Sequence, residues 1–249
     1  MSVRKLQQRR GWAFSVIVVL VKPTLLALTR RRWIDGENIP DTGGCVVVVN
    51  HLSHLDPLLS ALLVYDHGRI PRYLAKSGLF RNRALGAFLR SAGQIPVERA
   101  SINATGAYAA AVSAVRAGEC LVVYPEGTIT RDPDLWPMTG KSGAARVALE
   151  TGCPVVPVGQ WGPQDVLAPY ARKPDLLPRK LITMKVGPPL DLTHLTEGPV
   201  TTAHVARATE DIMTAITGLL ADIRGEQPPV DRYDLRRHRA GRAGGDGSS

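Results

Sequence analysis

The chain has 249 residues, enough for one sizeable α/β domain with appendages, and its 44% apolar content rules out disorder throughout. Its net charge of +9 is local: residues 1–32 hold eight of the 31 Lys and Arg and no acid, leaving 23 bases against 22 acids elsewhere. A near-neutral body with only three Phe offers neither a basic face nor a stacking platform, so no nucleic-acid partner is expected.

The basic residues of this N-terminal stretch flank an apolar segment, 12–28, interrupted by Lys22 and Pro23. Its uninterrupted part, 12–21, is ten residues long, against the ~20 needed to span a bilayer. Lys22 is costly at mid-bilayer, and Pro23 should kink a helix. The expectation is a broken helix or helical hairpin lying in one leaflet, with Trp12 and Trp33 at interfacial depth. The flanking bases suit anionic head groups, each worth about 1 kcal/mol near the surface. A secretory signal is disfavoured because no small-residue cleavage site follows. The plainer alternative is a core-packing N-terminal helix. Residues 1–32 are thus expected to associate with a lipid surface, peripherally or monotopically, at the cytoplasmic face of the cell membrane.

Residues 33–45, with Asp35-Gly36 and Pro40-Asp41-Thr42-Gly43-Gly44, predict a short strand and a turn. The run Val46-Val47-Val48-Val49 predicts a buried strand. A helix follows from 57 to about 65, a short strand at 73–75, and a helix over 84–91 ending near Gly93. An Ala-rich helix over 102–117 is closed by Gly118. A buried strand at 119–124 is cut off by Pro125, and a helix over 141–151 stops at Gly152. Strands at 155–158 and 181–186 and an amphipathic helix over 201–223 complete the pattern. From 227 to 249 the chain is rich in Pro, Arg, Gly and Ser and reads as a disordered tail. Strands alternating with helices predict an α/β fold: a mixed, largely parallel sheet flanked by helices, over 33–226. Cys45, Cys120 and Cys153 lie in or beside apolar strand-like runs without metal-ligand spacing. They read as small core residues in a reducing compartment, with no disulfide framework and no metal.

The valine run delivers His51 to a strand end, and Pro57 can open the next helix. On one helix, five residues would set His51 and Asp56 about 140° apart. Across a strand-to-helix corner they can converge, the carboxylate orienting the imidazole so that one ring nitrogen accepts a proton. That is half of a catalytic triad, and it needs a substrate hydroxyl to activate. Asp56 could instead be only an N-cap, or form a capping box with Ser53. A metal site built on His51, His54 and Asp56 lacks supporting ligands elsewhere.

Later strand ends carry further polar clusters: Gly93-Gln94-Ile95-Pro96-Val97-Glu98-Arg99, Tyr124-Pro125-Glu126-Gly127-Thr128 followed by Arg131, and Val155-Val156-Pro157-Val158-Gly159. Strand ends of open α/β sheets are where ligands bind. A base, backbone amides and arginines suit acyl transfer to an alcohol that carries an anion. The order Asn50-His51-x-Ser53-x-x-Asp56, Gly93-x-Ile95-Pro96-Val97-x-Arg99, Pro125-Glu126-Gly127-Thr128 and Val155-Val156-Pro157-Val158 resembles the glycerolipid acyltransferases of the lysophosphatidate acyltransferase (1-acylglycerol-3-phosphate O-acyltransferase) family, over about residues 33–224.

The resemblance implies an acyl-CoA or acyl-carrier-protein donor, a lysophospholipid acceptor, no cofactor, and phosphatidate as product. His51 would take the proton of the acceptor hydroxyl, which attacks the thioester directly. Asp56 would fix the tautomer, and no acyl-enzyme would form. Backbone N–H groups near the corner, or Lys76 in Leu74-Ala75-Lys76-x-x-Leu79-Phe80, would serve the oxyanion. Arg99 would bind the acceptor phosphate, Glu126, Gly127 and Thr128 would shape its site, and Glu126 could hold Arg99. The family often has arginine after Glu-Gly-Thr, where this chain has Ile129; Arg131 and Lys141 lie close enough in sequence to compensate. Acylation of another lysophospholipid, glycerol phosphate or glycolipid stays open, as does an inactive lipid-binding protein.

Overall fold

A computed structural model of the chain describes residues 4, 6, 11–97, 104–196, 198–235 and 238. Its centre is β2 (Cys45–Val49), five consecutive residues buried on both faces, as a continuous apolar run in a covered parallel sheet requires. One face of β2, with Val47 and Val49, packs on Leu59, Leu62 and Leu63 of α2 (Asp56–Asp66). The other, with Val46 and Val48, meets α4 (Ala104–Arg116), α5 (Gly143–Thr151) and α7 (Thr202–Arg224).

Around β2 a six-stranded sheet runs in the order β1-β8-β7-β2-β6-β3, built from β1 (Thr29–Ile34), β3 (Pro71–Arg72), β6 (Cys120–Val123), β7 (Val155–Trp161) and β8 (Lys180–Val186). Strands β3, β6, β2 and β7 are mutually parallel. β8 runs antiparallel to β7, and β1 is parallel to β8. The mixed, largely parallel sheet with flanking helices is the fold expected from the sequence. A separate pair, β4 (Leu74–Lys76) with β5 (Ile95–Val97), lies beside α3 (Arg83–Ser91). The short α6 (Pro163–Val166) follows β7. Gly152 and Gly225, both at positive φ, end α5 and α7 where glycine relieves the left-handed cap.

The N-terminal segment departs from expectation. It forms one helix, α1 (Trp12–Leu28), with Pro23 inside it, in place of a broken helix or hairpin. Pro23 stands on the exposed side, so the carbonyl it leaves without a donor does not fall in the core. Lys22, expected to interrupt the apolar surface, turns toward the domain. Its Nζ lies 2.7 Å from Asp66, which also accepts from Trp33 Nε1 at 3.2 Å and faces Arg31 at 3.7 Å. Arg179 Nη2 donates to the carbonyls of Leu26 (2.6 Å) and Thr29 (2.8 Å), capping the last turn of α1 with a cation. Ala13, Phe14 and Leu25 are buried, while Trp12, Val16, Val19 and Leu20 form an exposed apolar stripe. Among the described residues no helix is long and apolar enough to cross a membrane. The chain enters β1 directly at Thr29, so Arg30–Arg32, assigned from sequence to a separate membrane segment, belong to the sheet. At the other end, part of the expected tail lies on the domain: the Tyr233 carbonyl accepts from Thr139 N–H (3.1 Å) and Arg232 Nη2 donates to Thr214 (2.8 Å). The rest of it, 236, 237 and 239–249, falls outside the described residues.

Arg69, only 1% exposed, binds the loops leading into β2 and β6. Its guanidinium donates to the carbonyls of Pro40 (2.6 Å), Gly43 (2.6 Å) and Gly118 (2.9 Å). Methionine would take the place of the guanidinium without donating to any of the three carbonyls. We expect Arg69→Met to lower unfolding free energy by roughly 3 kcal/mol, seen as a lower urea midpoint with an unchanged slope.

Candidate active site

Beyond Val49 the chain leaves the sheet, and Asn50 makes this possible. Its side-chain amide takes the place of a strand backbone: Oδ1 accepts from Gln160 N–H (2.8 Å) and Nδ2 donates to the Gln160 carbonyl (3.1 Å). The Gln160 side chain closes the bracket by donating to the Asn50 carbonyl at 2.6 Å. His51 follows with both backbone polar groups held by the loop after β6. Its N–H donates to Glu126 Oε1 (2.9 Å), and its carbonyl accepts from Thr130 N–H (2.8 Å).

The His51 and Asp56 side chains do converge: Nδ1 lies 2.7 Å from Asp56 Oδ2. The same oxygen accepts from Leu52 N–H (2.6 Å) and Ser53 N–H (2.9 Å), and Ser53 Oγ accepts from Leu55 N–H (3.2 Å). The orienting reading of Asp56 holds and the capping reading does not: Asp56 is the first residue of α2, whose N-cap is Leu55 without a side-chain cap, and its carboxylate holds the amides of the turn before the helix. Complete burial pushes the Asp56 carboxyl above its ordinary range, and the bond to His51 and the two amides oppose that shift. The imidazole stacks on the Tyr124 ring, centroids 4.3 Å apart and planes inclined by 25°. Tyr124 is itself pinned: its hydroxyl lies 2.7 Å from Ser60 Oγ, which lies 2.7 Å from the Tyr73 hydroxyl.

The remaining expected residues divide. Glu126 is buried and grips backbone, Oε1 the amide of His51 and Oε2 that of Met138 (3.0 Å). Burial pushes its carboxyl up to about 8 despite those two donors. Gly127, at φ +70°, lines the same cavity as His51, and Thr128 beside it is half-buried. Arg131 is directed elsewhere: its guanidinium lies 5.2 Å from the Tyr170 ring centroid and lines a second cavity of about 400 Å³ with Asp132, Tyr233 and His238. Lys76 lies in β4, paired with Val97, but its side chain is outside the described residues, as is the whole of Arg99. Any grip of Glu126 on Arg99 falls there too. Ser53 is buried with its hydroxyl donating to the Leu167 carbonyl (2.7 Å).

The corner amides are not available to an oxyanion. Those of His51, Leu52 and Ser53 all donate to the two buried carboxylates, and Gly127 N–H donates to the Tyr124 carbonyl at 2.9 Å. Sequence reasoning gave no role to Asn50, Gln160, Tyr124 or the Ser60–Tyr73 pair. A polar residue closing the valine run could have flagged Asn50; nothing local marks its partner 110 residues away. His51 opens onto a mostly apolar cavity of about 510 Å³, with Tyr73, Tyr124 and Phe88 among its walls and Phe14 and Ile17 of α1 forming one side.

Known proteins resemble this arrangement. The family described as Acyltransferase matches residues 30–161. A 1-acyl-sn-glycerol-3-phosphate acyltransferase of Borreliella burgdorferi is 33% identical over 123 residues, covering 49% of this chain and 47% of that protein. One of Bacillus subtilis is 26% identical over 165 residues, covering 64% and 74%. The chain thus spans about half the length of the Borreliella protein. The crystal structure of the 1-acyl-sn-glycerophosphate acyltransferase PlsC of Thermotoga maritima shares the fold, with a TM-score of 0.62 at 21% identity, over 87% of this chain and 81% of that one. The family match runs from β1 to the end of β7, more than half of the sequence, and contains His51, Asp56, Glu126 and Gly127: the chain belongs to the acyltransferase family.

Proposed function

We propose that this protein moves a fatty acyl group from acyl-CoA or acyl-carrier protein to the free hydroxyl of lysophosphatidate, giving phosphatidate. The observation that carries this reading is the His51–Asp56 pair at the opening of an apolar cavity. Asp56 occupies Nδ1, which leaves Nε2 to take the acceptor's proton; as the imidazolium forms, the carboxylate beside it stabilises the new charge. The hydroxyl oxygen attacks the thioester carbonyl, and the thiolate leaves with a proton returned by His51. Ser53 is committed to a backbone carbonyl and all three cysteines lie away from this opening, so no protein nucleophile is invoked. The apolar cavity suits the acyl chain. With the corner amides engaged, we assign the oxyanion to Lys76. The 1-acyl-sn-glycerol-3-phosphate acyltransferases among its relatives support this acceptor; burial of Ile129 supports a different head group as the second reading. The assembled pair argues against an inactive lipid-binding protein.

The lipid surface enters through α1. Its outward stripe of Trp12, Val16, Val19 and Leu20 carries no charge, because Lys22 is drawn to Asp66. Such a face suits shallow insertion at the cytoplasmic leaflet. Replacing Val19 and Leu20 together with glutamate should reduce co-sedimentation with vesicles containing anionic lipid; unchanged binding would refute the assignment.

His51→Ala should lower acyl-transfer kcat by at least about 100-fold with unfolding midpoint retained, because the side chain sits at an element end. Turnover close to wild type in an acyl-CoA and lysophosphatidate assay would reject the mechanism. Glu126 gives a separate pH signature. Its folded pKa of about 8 stands above the ordinary 4.5, so its contribution to stability is full below 4.5 and is lost as pH rises through 8. Thermal melts should therefore show Glu126→Gln gaining on wild type between pH 5 and pH 9, whatever its constant offset from exchanging an oxygen for an amide. A pH-independent difference would contradict this.

A further inference from the structure

A phosphate-bearing acceptor needs a cation near His51; Arg99 lies outside the described residues, and neither Arg131 nor position 129 supplies one at the cavity. Arg131 faces the second cavity on Tyr170. Ile129 is 3% exposed and offers no charge. Lys141 is placed differently. Its N–H donates to the Pro125 carbonyl at 2.8 Å, tying its backbone to the residue before Glu126. Its side chain runs back across Gly127: a Cβ added there would overlap Lys141 Nζ, Cδ and Cε. Gly127 lines the His51 cavity, so the exposed ammonium that crosses it lies beside one wall of that cavity, although Lys141 itself does not line it. Among the described residues Lys22, Lys180 and Lys185 are each matched by an aspartate, whereas no carboxylate pairs with Lys141.

We propose that Lys141 binds the phosphate of the lysophospholipid acceptor beside the His51 cavity, so that the free hydroxyl a few atoms away meets the imidazole. Glycine at 127 then meets two demands, a left-handed backbone and room for the lysine stem to cross it. A phosphate could also belong to the acyl donor. The acceptor is favoured because His51, the group that must meet the acceptor hydroxyl, lines the same cavity as Gly127.

The inference rests on the acyl-transfer reading, and kinetics separate the two. If the wild-type protein acylates no phosphate-bearing acceptor, the reading of function fails. If it does, Lys141→Gln should raise KM for lysophosphatidate by about 10- to 100-fold, lower kcat less than that, and leave KM for acyl-CoA unchanged. Lys141→Arg should restore most of the loss, because a guanidinium can also bind phosphate. Monoacylglycerol, which lacks the phosphate, should show little difference between wild type and variant. Binding of glycerol 3-phosphate measured by calorimetry should weaken in parallel, without need of turnover. Unchanged KM for lysophosphatidate, or a rise confined to acyl-CoA, would overturn the proposal.

Discussion

Two carboxylates buried at the end of a parallel sheet set the terms for everything around them. Asp56 and Glu126 are removed from water, where an ionised carboxylate without donors would be very costly. Between them they gather four backbone N–H groups and the His51 ring. The chain from His51 to Ser53 is shaped by that demand: three consecutive amides turn toward carboxylate oxygens, and the corner becomes a fixed turn. The same economy of donors explains why the corner cannot also stabilise an oxyanion.

The sheet supplies the rest of the rigidity. Parallel strands β6, β2 and β7 end along one edge, and the segments that follow them carry the site. The loop after β6 is locked to His51 at both its N–H and its carbonyl, so the imidazole and Gly127 form one unit across two strands. Below, Arg69 gathers the loops at the opposite end of the same strands through three carbonyls. A cation surrounded by carbonyl dipoles serves there where a carboxylate would have needed burial of its own.

Much of this was legible in the sequence. The valine run, the helix that follows Pro57 and the glycine stop after α5 carry local signals, and they appear close to where periodicity places them. His51 and Asp56 could be paired because five residues across a corner leave few geometries. The partner of Glu126 was not legible. A buried carboxylate needs donors, but sequence does not say whether a guanidinium or a backbone amide will arrive. The fate of Lys22 was hidden for the same reason: a charge in an apolar helix reads as an interruption until Asp66, 44 residues on, removes it from the outer face. Pro23 misled because it sits on the exposed side of α1, where the carbonyl it frees can reach water and the helix runs on through it.

The Asn50–Gln160 bracket extends β2 against β7 by one residue with side-chain atoms in place of backbone. The main chain is thereby free to turn without fraying the ladder. The conformational entropy of the corner that carries His51 is lost when the protein folds. A histidine carried on a mobile loop would hold no single position; here its placement is inherited from the sheet. The placement of His51 and the end of the β2–β7 ladder are coupled at this amide pair, because the residue that closes the ladder is the one before the histidine.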